Sequence, residues 1–332
     1  MEIKWQDIIG HDEIKMRLQT LLQEKKVPHA LLFCGPEGVG KRKAAHVLAA
    51  ALLCEKQSER PCGTCASCQA LSLETHPDFY EIEPESKGKA AKTIKIEQIR
   101  AMQTEIARIP ILSPRRVVVL DGADTMNDAA ANSLLKTLEE PTGQVVFILV
   151  TSARSALLDT ILSRCMPVNF GALPRSALAA ALEQHGVPAK ASAELAALAD
   201  GSMGRALQLF ENGGLELRQD AVDFLSSLTD MDMEQVWKRS KAMGELSREK
   251  LAEWLMYLNM LLRDMLVLYQ GAADGMLYHE DLRAELAAML TSFPETRIFS
   301  LLELMRCIQR RMDANVNLRL LLEGFFIRIR DL

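Results

Sequence analysis

A glycine-rich loop between a short apolar segment and a helical segment constrains this chain more than any other stretch. The loop has the spacing G-x-x-x-x-G-K and ends at Lys41. The apolar residues 30–33 before it predict a buried strand, and residues 43–53 after it predict a helix. In that context the loop's backbone N–H groups can turn toward a phosphate, and the helix N-terminus adds positive potential. The sequence therefore predicts a phosphate cradle, with these candidate binding residues: Gly35, Gly38, Gly40 and Lys41.

Two features that ATP hydrolysis needs are altered near this loop. A Ser or Thr whose hydroxyl holds Mg²⁺ ordinarily follows the lysine, but this chain has Arg42, which offers no oxygen. Asp121 ends the predicted strand 116–121 and fits the carboxylate that orients Mg²⁺. The next residue is Gly122, not the glutamate that would activate water, and such a base contributes about 10²–10⁴-fold in rate. Asp124 is expected to be a loop carboxylate or helix cap. Arg42 and Asp121 complete the set of candidate nucleotide-binding residues, with Arg42 supplying positive charge where Mg²⁺ would sit. We expect no turnover here, although ATP or ADP bound without hydrolysis stays open.

Four cysteines follow the predicted P-loop helix in the spacing C-x7-C-x2-C-x2-C. The N-terminus lacks the apolar stretch of a signal peptide, which predicts a cytoplasmic protein whose thiols are not paired as disulfides. Four thiolates this close most simply predict a tetrahedral zinc site with no position open to water, hence a structural knuckle. An iron–sulfur cluster is a rival, although its bacterial pattern adds a C-P after the third cysteine. Unliganded thiols are the other alternative. The candidate ligands are Cys54, Cys62, Cys65 and Cys68.

Composition is that of an ordinary globular protein of two or three domains. Of 332 residues, 48% are hydrophobic and 25% are charged. The net charge of −5 provides no overall basic field for nucleic acid. The longest apolar run, residues 47–54, is far too short to span a membrane.

Strand and helix patterns alternate up to residue 170, which predicts a parallel α/β sheet with helices on both faces. The predicted strands are 30–33, 78–83, 116–121, 145–151 and 166–170. Residues 171–213 are rich in Ala and Leu, with breaks at Pro188 and Gly201, and predict a module of about three helices. Beyond residue 214 two long apolar stripes predict an all-α domain. The predicted division is thus 1–170 with the cysteine insertion at 54–68, then 171–213, then 214–332.

Two further motifs follow the P-loop, and together they carry a resemblance. They are Leu-Lys-Thr-Leu-Glu-Glu-Pro at 135–141 and Ser-Arg-Cys at 163–165. Ser-Arg-Cys is short, but its order and spacing relative to the P-loop and the four-cysteine insertion are specific. The chain resembles the clamp-loader branch of the AAA+ proteins, also in its opening residues 5–10. Residues 315–318 resemble the C-terminal collar of one member. The resemblance implies a P-loop NTPase-like sheet domain, a helical lid at 171–213 and a collar for oligomerisation at 214–332.

Within that branch, the departures from the motor pattern favour a subunit of the bacterial DNA polymerase III clamp loader that does not hydrolyse ATP. A tau/gamma-type motor carries Ser or Thr after the P-loop lysine, Asp-Glu at the strand end, and a lid arginine in Gly-Ser-x-Arg. Here Gly204 stands where that arginine would be, and Arg205 lies one residue, about 100° of helix, farther on. An active tau/gamma-type ATPase is the alternative. A zinc-dependent nucleic-acid-binding module with a vestigial P-loop is a third interpretation.

The resemblance implies that Arg164 acts in trans as an arginine finger on ATP held by a neighbouring tau/gamma subunit. Such a finger is worth about 10³–10⁵-fold in rate. The implied partners are tau/gamma and delta subunits in a hetero-oligomer that loads the sliding clamp onto primer–template DNA, with no membrane involved. A structural ion pair is the alternative role for Arg164. Lys136, Glu139 and Glu140 are expected on a polar helix face toward DNA, the next subunit or solvent.

Overall fold

The computed structural model describes residues 3–56, 59–85, 92–141, 143–228, 231–271, 276–313 and 318–331. The chain divides into two compact units, one of Met1–Gly186 with Asp200–Arg205, the other of Val187–Ala199 with Ala206–Leu332. The predicted boundaries at residues 170 and 213 stay a prediction. The collar resemblance at 315–317 lies outside the described residues.

The first unit contains a sheet of five strands. The strands are β1 (Ala30–Cys34), β2 (Phe79–Ile82), β3 (Arg116–Asp121), β4 (Val145–Thr151) and β5 (Met166–Asn169). Their order across the sheet is β2-β3-β4-β1-β5, and every neighbouring pair is parallel. The predicted parallel sheet is therefore confirmed. Since β1 lies between β4 and β5, the P-loop that follows it emerges from the interior of the sheet.

Helices cover both faces of this sheet. They are α1 (Asp12–Gln23), α2 (Lys41–Leu53), α3 (Ala66–Ser72), α4 (Ile96–Ile106), α5 (Asp128–Glu139), α6 (Asp159–Leu162) and α7 (Arg175–Gln184). Successive strand residues point to opposite faces, so Phe33 shares one core with Leu48 of α2. Its neighbour Leu32 shares the other core with Ile99 of α4 and Leu134 of α5. The continuous apolar strands are thus explained by burial on two sides.

Helix ends differ from the sequence-based expectation in two places. α2 begins at Lys41, two residues earlier than predicted, because Gly40 adopts a left-handed φ of 98° and starts the helix at the loop itself. Apolar residues at positions 94, 96, 99, 102, 106 and 109 predict a helix that continues to Ile109, but α4 ends at Ile106. Ile109 is 86% exposed, so its side chain extends the helical spacing without belonging to the helix.

A buried carboxylate holds the segment that follows α4. Asp78 accepts the backbone N–H groups of Ile111, Leu112 and Ser113 at 2.7–2.8 Å. Arg116 Nε lies 3.8 Å from Asp78 Oδ1, and both side chains are buried. Burial alone raises the pKa of Asp78, but the three N–H bonds outweigh it and hold the pKa below its ordinary value. These three N–H groups, which follow Pro110, are satisfied by a side chain and not by a continuing helix.

The described part of the second unit is helical apart from its connections, as predicted. Its helices are α8 (Ala189–Leu198), α9 (Met203–Glu211, which begins in the first unit), α10 (Gly214–Ser227), α11 (Met233–Gly244), α12 (Arg248–Tyr269), α13 (Arg283–Met289), α14 (Glu295–Asp313) and α15 (Leu318–Asp331). Trp254 of α12 is fully buried and donates its Nε1–H to Asp220 at 2.8 Å. None of the described helices is long and apolar enough to cross a membrane.

Replacing Asp78 by Asn should lower the free energy of unfolding by about 3 kcal/mol, because it leaves Arg116 buried without a charge partner. Urea unfolding at neutral pH measures this. The folded-state pKa of Asp78 lies below the unfolded one, so its contribution is present above the unfolded pKa and is lost as pH falls through the folded pKa. The gap between wild type and variant should therefore shrink in acid. Asp128→Asn, at an exposed side chain in the same unit, is the control, and a gap that acid leaves unchanged would contradict the assignment.

Candidate functional site

The P-loop is packed closely against the end of β5. A Cβ atom at Gly35 would lie 2.2 Å from the carbonyl oxygen of Phe170, which is far inside contact distance. Phe170 also donates its N–H to the carbonyl of Cys34 at 2.7 Å, which holds the two segments together. Gly40 has open space but a left-handed φ. Gly35 is therefore required by close approach, and Gly40 by backbone conformation.

Residues 200–205 lie against the other side of the loop. Gly204 donates its N–H to the carbonyl of Gly38 at 3.0 Å. A Cβ at Gly38 would lie 2.2 Å from Ser202 Oγ, and a Cβ at Gly204 would lie 3.1 Å from the Cα of Gly38. An arginine at position 204, as in the motor pattern, would therefore press on the P-loop backbone. Arg205 is held differently, with its N–H donated to Ser202 Oγ at 3.1 Å.

Lys41 turns its ammonium group back onto the loop. Its Nζ donates to the carbonyl of Gly35 at 2.7 Å and to that of Pro36 at 2.6 Å. The residue is only 6% exposed, and this burial lowers the pKa of Lys41. An ammonium group has three N–H donors, so two are engaged by these carbonyls. Lys41 is thus placed at the cradle, but the chain itself satisfies most of its hydrogen-bonding capacity.

The guanidinium of Arg42 lies among three carboxylates. Its Nε is 3.0 Å from Glu81 Oε1 and 3.7 Å from Asp121 Oδ2, and its Nη2 contacts Glu83. Glu81 also pairs with His46 Nε2 at 2.7 Å. Burial raises the pKa of Asp121, and the charge of Arg42 opposes that effect. A fixed positive charge therefore contacts the carboxylate that would orient Mg²⁺ in a P-loop ATPase.

The residues after Asp121 do not present a water-activating carboxylate to the loop. Gly122 has a φ of 70°, and a Cβ there would lie 2.9 Å from Pro84 Cγ. A glutamate at this position would be strained in its backbone and crowded in its side chain. Asp124 accepts the hydroxyl of Thr151 at 2.7 Å and the N–H of Ser152 at 3.2 Å. The carboxylate of Asp124 is thus hydrogen-bonded to residues at the end of β4.

A cavity of about 640 Å³ lies beside these groups, a size typical of small-ligand sites. Five of the residues that the sequence predicts line it, namely Gly38, Gly40, Lys41, Arg42 and Asp121. Glu81 and Glu83 belong with this cluster, although the sequence patterns do not single them out. Their position at the carboxyl end of β2 was the available signal, because the ends of parallel strands meet at one edge of a sheet.

The four predicted metal ligands come together in the structure. Their Sγ atoms all lie within 4.8 Å of one another, with 4.0 Å between Cys54 and Cys65 and 4.0 Å between Cys62 and Cys68. Tetrahedral zinc with Zn–S bonds of ~2.3 Å would place sulfurs about 3.8 Å apart. The cluster therefore fits a metal ion, and four sulfur ligands would leave no position open for catalysis.

Hydrogen bonds attach this cysteine knuckle to the sheet domain. Ser67, between two of the cysteines, donates to the carbonyl of Leu53 at 2.8 Å and lies 2.8 Å from His76 Nε2. His76 Nδ1 accepts the N–H of Asp78 at 3.0 Å, so the ring proton is on Nε2 and is donated to Ser67. Burial lowers the pKa of His76, which keeps the ring neutral. The knuckle is thus anchored to the start of β2.

Arg164 lies on an exposed turn between α6 and β5. Its Nη1 donates to the carbonyl of Thr160 at 2.8 Å and to Ser163 Oγ at 3.2 Å, and its Nη2 donates to Glu139 Oε1 at 2.5 Å. The side chain is 33% exposed. Cys165 is buried, and burial raises its pKa to about 11, so a neutral thiol anchors the turn. The structure therefore places an oriented guanidinium at the surface of the first unit.

Arg164 and the P-loop lie at opposite ends of the parallel strands. Met166, two residues after Arg164, pairs with Leu31 at the start of β1, whereas Asn169 pairs with Cys34 at its end. Strand geometry of about 3.3 Å per residue separates these levels by roughly 10 Å. Arg164 lies beyond the amino ends of the strands, and its guanidinium turns toward α5. The structure therefore does not bring it to the chain's own cavity.

Comparison with known proteins gives consistent similarities. Residues 10–174 match the family described as "DNA polymerase III, delta subunit", and residues 216–331 match "DNA polymerase III, delta subunit, C terminal". The chain is 31% identical to DNA polymerase III subunit delta' of Escherichia coli K12, covering 94% of this chain and 92% of the relative. It is 41% identical to subunit delta' of Pseudomonas aeruginosa PAO1 over 60% of this chain and 61% of that protein. Subunit tau of Bacillus subtilis 168 is 33% identical over 63% of this chain and 37% of its own length.

Chelation of bound metal should lower the melting temperature of the first unit, because metal binding to such a cluster contributes folding free energy. Calorimetry with and without chelator, alongside a zinc assay, measures this. Cys62→Ser should melt earlier than wild type and no longer respond to chelator. Cys307→Ser, outside the cluster, should behave as wild type. Metal-free protein that melts at the wild-type temperature would argue for unliganded thiols.

Proposed function

The chain belongs to the DNA polymerase III subunit delta' family, and we propose that it lends an arginine to a neighbouring ATPase and does not hydrolyse ATP itself. The clamp-loader type predicted from the sequence is confirmed at the level of this family. In the proposal, tau/gamma and delta subunits are its partners, and the assembly loads a sliding clamp onto primer–template DNA. The observation that carries the proposal is the placement of Arg164, partly exposed and held by hydrogen bonds, at the amino ends of the strands, away from the P-loop.

The position of Arg164 favours action in trans. An arginine finger must touch the transferring phosphoryl group. The chain's own phosphate cradle opens at the carboxyl edge of β1, and the guanidinium turns away from it toward Glu139. A nucleotide that Arg164 contacts would therefore be held by another subunit.

The hydrogen bonds of Arg164 leave donors for that phosphate. A guanidinium has five N–H donors in a fixed fork. Contacts with Thr160, Ser163 and Glu139 use three of them, which leaves two for a phosphoryl oxygen. The contacts also reduce the side-chain freedom that would be lost on binding. An exposed pair with Glu139 adds little stability, so orientation of the finger explains the contact better than structural support does.

The chain's own cavity supports the other half of the proposal. Arg42 occupies the region where a hydroxyl and Asp121 would share Mg²⁺, and Gly122 provides no general base. In-line phosphoryl transfer depends on that metal and on an oriented nucleophile. ATP or ADP bound here through Lys41 would thus stay unhydrolysed. The subunit would act as a fixed partner that completes the catalytic site of its neighbour.

Replacing Arg164 by Ala in the reconstituted loader should lower ATP turnover at the neighbouring site by about 10³-fold or more. The rate of DNA-stimulated phosphate release by the whole loader should fall by the fraction that this site contributes. Gel filtration should show an unchanged assembly. Arg17→Ala, at another exposed arginine, is the control. Unchanged turnover would exclude the finger role. The chain alone should show no turnover, and turnover abolished by Lys41→Ala would identify a tau/gamma-type motor instead.

Glu139 provides a second, graded test of the same geometry. Glu139→Gln keeps an oxygen acceptor for Arg164, whereas Glu139→Ala removes it. Because misplacing a catalytic group by about 1 Å can cost on the order of 10²-fold, the Ala variant should lower kcat of the loader's finger-dependent site about tenfold or more, with KM for ATP little changed. The Gln variant should retain most activity. Equal kcat values for both variants and wild type would show that Glu139 does not position the finger.

A further inference from the structure

The P-loop cavity departs from the ATPase pattern most clearly at the position of the metal. Mg²⁺ demands near-octahedral oxygen ligands, and in P-loop ATPases a Ser or Thr hydroxyl after the lysine is one of them. Here Arg42 follows the lysine in the first turn of α2, and its guanidinium contacts Asp121 and Glu83. A guanidinium has only N–H donors and stays protonated, so it coordinates no metal. The side chains at this place therefore do not fit Mg²⁺.

The charge of Arg42 is used within the chain. Glu81 Oε1 accepts Arg42 Nε at 3.0 Å and also lies 2.7 Å from His46 Nε2. Glu83 accepts Arg42 Nη2, and Asp121 Oδ2 lies 3.7 Å from Arg42 Nε. Burial raises the pKa of Asp121, and the guanidinium opposes that effect. One cation is thus shared among three carboxylates, so Arg42 reduces their repulsion of a phosphate and supplies no surplus positive charge.

The attraction for a phosphate comes from Lys41 and from the loop. Among the described lining residues of the cavity, acidic and basic side chains are equally numerous, so the lining as a whole does not attract anions. Lys41 donates to two neutral carbonyls of the loop. The carboxylates that influence Lys41 act through longer-range attraction, without an ion pair in the described parts of the chain. Lys41 and the N–H groups at the start of α2 are therefore the groups that a phosphate would meet.

From these contacts we propose that the P-loop cavity binds nucleotide in its metal-free form, with Arg42 neutralising carboxylates that Mg²⁺ would neutralise in an ATPase. The inference rests on the proposed function, in which ATP or ADP is bound here without hydrolysis. A metal ion entering with the nucleotide would lack the hydroxyl ligand and would be repelled by the guanidinium beside Asp121. Magnesium therefore adds nothing to the affinity, and the ligand class is a free nucleoside diphosphate or triphosphate.

A cation that is part of the chain differs from a metal ion in a way that bears on function. Arg42 belongs to α2 and contacts residues of β2 and β3, so its charge is present whether or not a nucleotide is bound. Transfer of a phosphoryl group needs the metal to neutralise developing charge, and a guanidinium already shared among carboxylates does not replace it there. The bound nucleotide would thus support the packing of the loop without responding to the concentration of free Mg²⁺.

One competing explanation uses the same residues. Glu81, Glu83 and Asp121 outnumber the guanidinium, and a surplus of carboxylates attracts a divalent cation. In that case Mg²⁺ would raise the affinity of the wild-type chain for ATP. In the proposal it would not, because these carboxylates are already engaged with Arg42 and His46.

Titration of the purified full-length chain into a ribose-labelled fluorescent ATP, in excess EDTA and in Mg²⁺, tests the proposal. The wild-type chain should give the same Kd in both buffers, and Lys41→Ala should bind in neither. Arg42→Thr restores the hydroxyl and removes the charge, so it should bind about tenfold more weakly than wild type in EDTA and recover affinity in Mg²⁺. Arg42→Lys, which keeps the charge, should remain indifferent to Mg²⁺. Arg17→Ala, at an exposed arginine, is the control and should bind as wild type.

The comparison of the two buffers is decisive with the wild-type chain alone, and melting temperatures identify any variant that is not folded. Wild-type affinity that rises in Mg²⁺ would overturn the proposal, and so would the absence of saturable ATP binding in both buffers. Neither result bears on Arg164, whose test is turnover in the reconstituted loader. Phosphate release by the chain alone would instead contradict the proposed function.

Discussion

In a parallel sheet all amino ends of the strands lie on one side and all carboxyl ends on the other, and the arrangement of this molecule depends on that constraint. Because all five strands run the same way, loops that follow a strand emerge at the carboxyl ends, and turns that precede a strand lie at the amino ends. The P-loop follows β1 and Asp121 ends β3, whereas Arg164 precedes β5. One chain can therefore present a phosphate cradle on one side and a guanidinium on the other. Under the proposed function, this arrangement would let one subunit complete the catalytic site of its neighbour.

The positions at which this chain departs from the pattern of a P-loop ATPase contact neighbouring parts of the fold. Arg42 pairs with carboxylates from β2 and β3, and Gly204 donates to the carbonyl of Gly38. Each exposed ion pair is worth little on its own, but together they join the start of α2 to two strands. Restoring a single hydroxyl at position 42 would leave the left-handed Gly122 and the crowded position 204 unchanged. The contacts of the P-loop thus make it a fixed part of the fold.

The cysteine knuckle and the Asp78 network form one polar unit. Asp78 uses its N–H to orient His76, which in turn donates to Ser67 beside the metal ligands. Its carboxylate at the same time binds the segment before β3. Since buried polar groups are costly when one partner is missing, the loss of any member would disturb the others. The knuckle is therefore held in a defined orientation relative to the sheet.

Local patterns in the sequence were sufficient to predict the parallel sheet, the glycine-rich loop between a strand and a helix, and the four-cysteine cluster. Each of these depends on the spacing of a few neighbouring residues, and alternation of strands with helices leaves few possible folds. Only the tertiary structure decided what Arg42 contacts, because Glu81 and Glu83 are distant in sequence and reach it through strand order. It also decided that Gly204 packs against Gly38 with little room for a side chain, and that Arg164 and the P-loop lie at opposite ends of the parallel strands. Such relations depend on how separate elements pack, and that information is not contained in the spacing of residues along any one of them.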